Sequence, residues 1–162
     1  MVFCNTTPFI ALASIGRLEL LSQVVGDISV AEAVAEECAE GGPISVPPLR
    51  DLSWVTVHPD LPPREWTAVL DLDRGEQQTL LLARHYASEL VIIDERRART
   101  IGEYLGLRIT GTLGILAKAK TDGLLPSFRE AAAAMQAQGV YYSQGLIDRL
   151  AERLGENNRK HP

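Results

Sequence analysis

Asn5, Glu37, Glu76 and Asp94 are the residues of this chain whose types and places could assemble a reactive site. Asn5 closes the apolar run Val2-Phe3-Cys4, and Asp94 closes Leu90-Val91-Ile92-Ile93. A helix is expected after each. In a parallel α/β sheet, ligands bind in the crevice beyond the carboxyl ends of the strands, so a polar residue closing a strand is a candidate ligand. Glu37 borders an apolar helical stripe. Val30, Val34 and Cys38 recur every four residues, and Glu37 lies three from Val34 and seven from Val30. Glu36, two from Val34, must point elsewhere. Glu76 shares a helix face with Leu80 and Ala83, four and seven residues on.

Each of these residues also has an ordinary role open to it. Glu37 can snorkel to solvent at the edge of its stripe, since acids are seldom buried without partners. Glu76 suits a first helical turn, where the dipole favours an acid. Asp94 suits the N-cap of the helix that follows it. Asn5 suits a turn or a cap, and Glu95 reads as an exposed first-turn acid. Taken together, the four offer oxygen donors from two strand ends and two inward helix positions. Hard divalent cations need several oxygens at one point. Mg²⁺ or Mn²⁺ held that way activates water and stabilises the charge of a phosphodiester transition state. A buried cluster of carboxylates without a cation would repel itself and push its pKa values up.

The elements that must position these residues alternate. Strands are expected at Val2–Cys4, Asp27–Val30, Trp54–Val57, Leu90–Ile93 and Leu107–Thr110, with two residues of strand at Ser45-Val46. Helices are expected at Pro8–Ile15, with Thr6 or Thr7 as its cap, and at Arg17–Val24, Ala31–Glu40, Glu65–Leu70, Gly75–Ala87, Arg96–Leu105, Leu113–Thr121, Ser127–Gln138 and Ser143–Leu154. The continuous apolar run before Asp94 is typical of a strand buried on both faces. This pattern implies a three-layer α/β/α fold with a mainly parallel sheet. Residues 1–154 form a single domain in this reading, and the polar residues 155–162 a tail that frays.

Length and composition narrow the classes. A chain of 162 residues, 46% hydrophobic and 23% charged, fits one domain with a substantial core. The formal net charge of −5 excludes a bulk cationic nucleic-acid binder and leaves local basic patches open. No apolar run reaches the roughly 20 residues of a membrane span. The start lacks the basic region and long apolar stretch of a signal peptide, so a cytoplasmic protein is expected. Cys4 and Cys38 lie on apolar faces with no zinc-type spacing, and reduced buried thiols are expected. Arg96, Arg97, Arg99 and Arg108 cluster around the strand end that carries Asp94. Arg96 and Arg99 share a helix face. They read either as phosphate-backbone contacts or as a solvated face paired with Glu95 and Glu103.

Several stretches together resemble the PIN-domain family: Val2-Phe3-Cys4-Asn5-Thr6-Thr7-Pro8-Phe9-Ile10-Ala11, Leu72-Asp73-Arg74-Gly75-Glu76, Val91-Ile92-Ile93-Asp94-Glu95-Arg96-Arg97 and Thr110-Gly111-Thr112-Leu113-Gly114. The similarity runs from about residue 2 to 150 and is nearest a prokaryotic branch of predicted nucleic-acid binders. It implies a twisted parallel sheet flanked by helices and a Mg²⁺- or Mn²⁺-dependent ribonuclease, in some members the toxin of a toxin–antitoxin pair. The family's ring of acids falls on Asn5, Glu37, Glu76 and Asp94, so Asn5 departs from the pattern. Asn offers a neutral oxygen and no proton acceptor, which weakens metal binding and water activation. The resemblance further implies hydroxyls near the site at Thr6, Thr110 and Thr112, RNA as ligand, an antitoxin-like partner and a homodimer. The rival expectation is a non-catalytic module that binds RNA or a protein. A Rossmann nucleotide-binding protein is disfavoured, because no Gly-x-Gly-x-x-Gly follows the first strand.

Overall fold

The computed structural model describes residues 1–62 and 67–157. Its centre is a five-stranded sheet in which every pairing is parallel. The strands are β1 (Val2–Cys4), β2 (Ile28–Ala31), β3 (Val55–His58), β4 (Leu90–Ile92) and β5 (Ile109–Thr110). The helices are α1 (Thr6–Ala13), α2 (Leu20–Val25), α3 (Glu32–Glu40), α4 (Arg74–His85), α5 (Arg96–Tyr104), α6 (Thr112–Thr121), α7 (Phe128–Ala137) and α8 (Gln144–Arg153). This is the three-layer α/β/α architecture that alternating strands and helices require.

The strand order is β3-β2-β1-β4-β5. The chain steps from β1 to β2 to β3 in one direction, then crosses to β4 and β5 in the other. Right-handed crossovers therefore place α1 to α3 over one face and α4 and α5 over the other. The packing follows: α4 lies on β1, β2 and β4 beside α5, and α1 and α2 meet α6. The order of connection reverses between β1 and β4, and the crevice at their carboxyl ends is the switch point where such sheets bind ligands. Asn5 and Asp94 lie just beyond those two ends. The register pairs Cys4 with Ile92, and the Asn5 N–H donates to the Ile92 carbonyl at 2.9 Å.

The expected elements recur with shifted ends. The Ser45-Val46 strand is absent; a 3-10 turn at Leu49–Asp51 follows that loop instead. Of the helix expected at Glu65–Leu70, Glu65 and Trp66 lie outside the described residues, and Thr67–Val69 make one 3-10 turn. Thr6 and Thr7 fall inside α1 rather than capping it; the N-cap position belongs to Asn5. The chain also stays docked past residue 154. The Glu156 carboxylate accepts the N–H groups of Phe128 and Arg129 at the start of α7, at 2.6 and 2.8 Å. The rest of the tail, residues 158–162, lies outside the described residues.

Both thiols are free and buried, Cys4 at the centre of the sheet and Cys38 on the inner face of α3. Burial pushes the Cys38 thiol up to about 12, so it stays protonated and inert.

Candidate functional site

Asn5 is the core of the site. It stands at the N-cap of α1, yet its side chain makes no capping bond. The residue is only 4% exposed, and its Oδ1 is buried without a hydrogen-bond partner among the described residues. Such an atom is unusual, because leaving a buried acceptor unsatisfied costs about 1–3 kcal/mol.

Glu37 is tied to the residue that follows Asn5. The Thr6 hydroxyl donates to one of its oxygens, and the Gly75 N–H, in the first turn of α4, donates to the other at 3.0 Å. Gly75 is required for this approach, since a Cβ there would stand 2.5 Å from both Glu37 carboxylate oxygens. Burial raises the Glu37 pKa, with the Thr6 bond acting against the shift. Glu36 points outward and pairs with Arg74 at 2.5 Å. Helical phase therefore separated the two neighbouring acids.

Glu76 sits next to Gly75 in a capping box. Its N–H donates to Asp73 at 2.8 Å, and its carboxylate accepts the Asp73 N–H at 3.3 Å. The helix-start role is thus real, and the residue is nevertheless only 9% exposed. Burial, and then the charge of Asp73, push its pKa up to about 7.

Asp94 stands two residues past the end of β4. It does not cap the helix that follows it in sequence; Glu95 holds that position, without a side-chain cap bond. Instead Asp94 caps α6 across the sheet end. Its Oδ1 accepts the Thr112 N–H at 2.6 Å, and its Oδ2 accepts the Thr112 and Tyr142 hydroxyls, each at 2.7 Å. Burial and the Asp94 charge raise the Tyr142 pKa well above its usual range, so Tyr142 stays a donor.

The acids thus stand as two groups. Glu37 and Glu76 flank the first turn of α4, and Asp94 meets the first turn of α6. Among the described residues, no three His, Cys, Asp or Glu side chains form a group that could hold a metal ion. The feature that fits a hard cation is Asn5 Oδ1, an unpartnered neutral oxygen, with Asp94 as the carboxylate on the adjoining strand end.

A groove of about 660 Å³ opens beside Asp94, between α5, the turn into α6 and α8. Arg96, Arg99 and Thr110 line it, as their places on α5 and β5 suggested. Arg97 turns away and pairs with Asp71 at 2.9 Å. No ion pair joins Arg96 or Arg99 to Glu95 or Glu103 among the described residues. The Arg99 guanidinium crosses Gly111 to reach the Ile93 carbonyl at 3.2 Å. Two of the threonines take other parts than contact with a nucleic acid. Thr112 is fully buried and Thr6 half-buried, and their hydroxyls are committed to Asp94 and Glu37. Sequence reading missed Tyr142 and Arg149, because nothing local says where α7 and α8 pack.

A family model described as a PIN domain matches residues 1–156. No curated protein and no solved structure matches the chain.

Proposed function

Because the chain belongs to the PIN-domain family, whose fold is of the nuclease type, we propose that it is a metal-dependent ribonuclease with a weakened cation site at the β1/β4 switch point. The observation that carries this reading is the buried, unpartnered Asn5 Oδ1 at the end of β1, beside the strand that leads to Asp94. A bound Mg²⁺ or Mn²⁺ supplies Lewis-acid stabilisation of the phosphodiester and an activated water. Asn5 and Asp94 would hold it from the two strand ends, and Glu37 and Glu76 would supply further carboxylate oxygens. Three hydrogen bonds fix the Asp94 carboxylate in one orientation and still leave it roughly one of its four acceptor positions. Glu76, poised at about 7, exchanges a proton near neutral pH, which suits an acid–base role at its carboxyl oxygen.

The second reading is an RNA-binding module without catalysis. It is favoured by Asn5 itself and by the hydrogen bonds that already occupy Glu37 and Asp94. RNA cleavage with Mn²⁺ by the wild type, Asn5→Asp and Asn5→Asp/Asp94→Ala separates the two. The nuclease reading expects slow cleavage, faster cleavage, and loss in the double variant. Absence of cleavage by all three would leave the binding module. If the chain is the toxin of a toxin–antitoxin pair, its expression should slow growth, and Asp94→Ala should relieve the effect.

A further inference from the structure

The groove beside Asp94 has a second wall that the acid site does not use. Its first wall is α5, with Arg96 and Arg99; the second is α8, with Arg149. None of these three guanidiniums forms an ion pair among the described residues, although Asp94 and Glu103 also line the groove. Four other arginines are neutralised: Arg50 by Glu32, Arg74 by Glu36 and Asp60, Arg97 by Asp71, Arg129 by Asp148. Three cations without an ion pair thus line one groove that runs to Asp94, on a chain of net charge −5. Leu113, Leu146 and Leu150 supply apolar surface in the same groove. Leu146 is 38% exposed, an apolar side chain left open to whatever enters.

We propose that this groove binds one or two nucleotides of single-stranded RNA, with Arg96, Arg99 and Arg149 on the phosphates and a base against Leu146 and Leu150. The size argues for a single strand. A cavity of about 660 Å³ lies within the range that holds a drug-sized molecule and is too small for a duplex. The chemistry argues the same way, since cations along the backbone with apolar surface under the bases is how unpaired strands are held. Arg149 is therefore a substrate-binding residue supplied by α8, beyond the last strand. The proposal rests on the RNA reading above, but not on cleavage.

The test is fluorescence anisotropy with a short labelled single-stranded RNA, in EDTA, across a salt series. Arg149→Ala should weaken binding about three- to ten-fold at low salt and reduce the salt slope by about 0.7, the share of one phosphate contact. Leu146→Glu, at an exposed helix position that tolerates a polar residue, should weaken binding as well. Arg97→Ala, on the same helix as Arg96 but outside the groove, should bind as the wild type does. Thermal melts confirm that the variants fold. Wild-type affinity in both groove variants overturns the proposal, as does tighter binding of a duplex of equal length. No RNA binding by the wild type at low salt also overturns it and assigns the groove to a protein partner. Loss of binding in the groove variants with no cleavage by any protein sinks the nuclease reading and leaves this one standing.

Discussion

At position 5 an amide stands where a carboxylate would bring a full charge to the end of β1. In Asn5→Asp the new acid would be nearly inaccessible to solvent, with Asp94 nearby and no donor for its outer oxygen among the described residues. Without metal, the variant should lose about 1–3 kcal/mol at neutral pH. Mn²⁺ should recover most of that loss. Melting curves in EDTA and in Mn²⁺ check it, and a variant as stable as wild type in EDTA would mean the pocket already tolerates another charge. Glu76 gives a pH test. Its folded pKa is raised from 4.5 to about 7, so the native state holds the proton more tightly than the unfolded chain. Below about 4.5 the residue is neutral in both states. As pH rises towards and through 7, the charged form is penalised only in the native state, and stability falls. The full shift corresponds to about 3 kcal/mol; the partly open carboxyl and solvent screening reduce it to about 1–2 kcal/mol. Gln keeps the capping box without the charge. Glu76→Gln should therefore match wild type at pH 5 and exceed it by about that amount at pH 8. Urea melts at both pH values decide it, and a gap that stays constant with pH would refute the perturbed carboxyl.

At the scale of elements, several helix starts are held by acids from elsewhere in the chain, among them α4 by Glu37, α6 by Asp94 and α7 by Glu156. Glu156 receives two backbone N–H groups of α7 and lies 3.7 Å from Lys120. Burial opposes its ionisation, but the bonds from Arg129 and Phe128 win, and its pKa is held below the usual value. Its contribution is thus present above the unfolded pKa and lost as pH falls through the folded one. Glu156→Gln should cost about 1 kcal/mol at pH 7 and progressively less as the solution is acidified past that window; a deficit that does not shrink in acid would assign the loss to packing. Gly75→Ala is the corresponding test at α4. Helix propensity alone would favour Ala by about 1 kcal/mol. The clash with Glu37 predicts a net loss instead, and a gain in melting temperature would show that Glu37 yields freely. Local pattern made most elements legible. Val34 and Cys38, four residues apart, revealed the inner face of α3 and separated Glu37 from Glu36, although Val30, counted in the same stripe, lies on β2, and apolar runs marked β1 and β4. It failed where one element serves another. Asp94 caps α6, not the helix next to it, and Tyr142 and Arg149 reach the groove through the packing of α7 and α8 on α6. Such pairings come from tertiary contact, and periodicity within one segment carries no trace of them. Asp73 and Glu76 are the converse case, because a capping box has a local signature, Asp followed three residues later by Glu.

For the whole molecule, the reversal of strand order between β1 and β4 brings Asn5 from the amino terminus and Asp94 from the second half of the chain to adjoining strand ends, while Glu37 and Glu76 meet at the first turn of α4. The net charge of −5 would repel an RNA strand at long range, so the proposed binding relies on the local arginines and on any cation held at the crevice. A cation that bridges the strand ends has a global signature, because ligands that bind only the folded state stabilise the whole fold. At a Mn²⁺ concentration of about 100 times its dissociation constant the gain is about 2.7 kcal/mol. For a domain of this size that is roughly 5–10 °C in melting temperature. Asp94→Asn keeps the shape of the side chain and can still accept from Thr112, but it removes the charge, so the Mn²⁺ response should vanish. Glu36→Gln changes an acid on the same helix as Glu37 that faces solvent and pairs with Arg74, and its response should equal that of wild type. The outcome that overturns the cation site is a full Mn²⁺ shift surviving in Asp94→Asn while Glu36→Gln abolishes it, for the ion would then sit on the outer face of α3, away from the crevice.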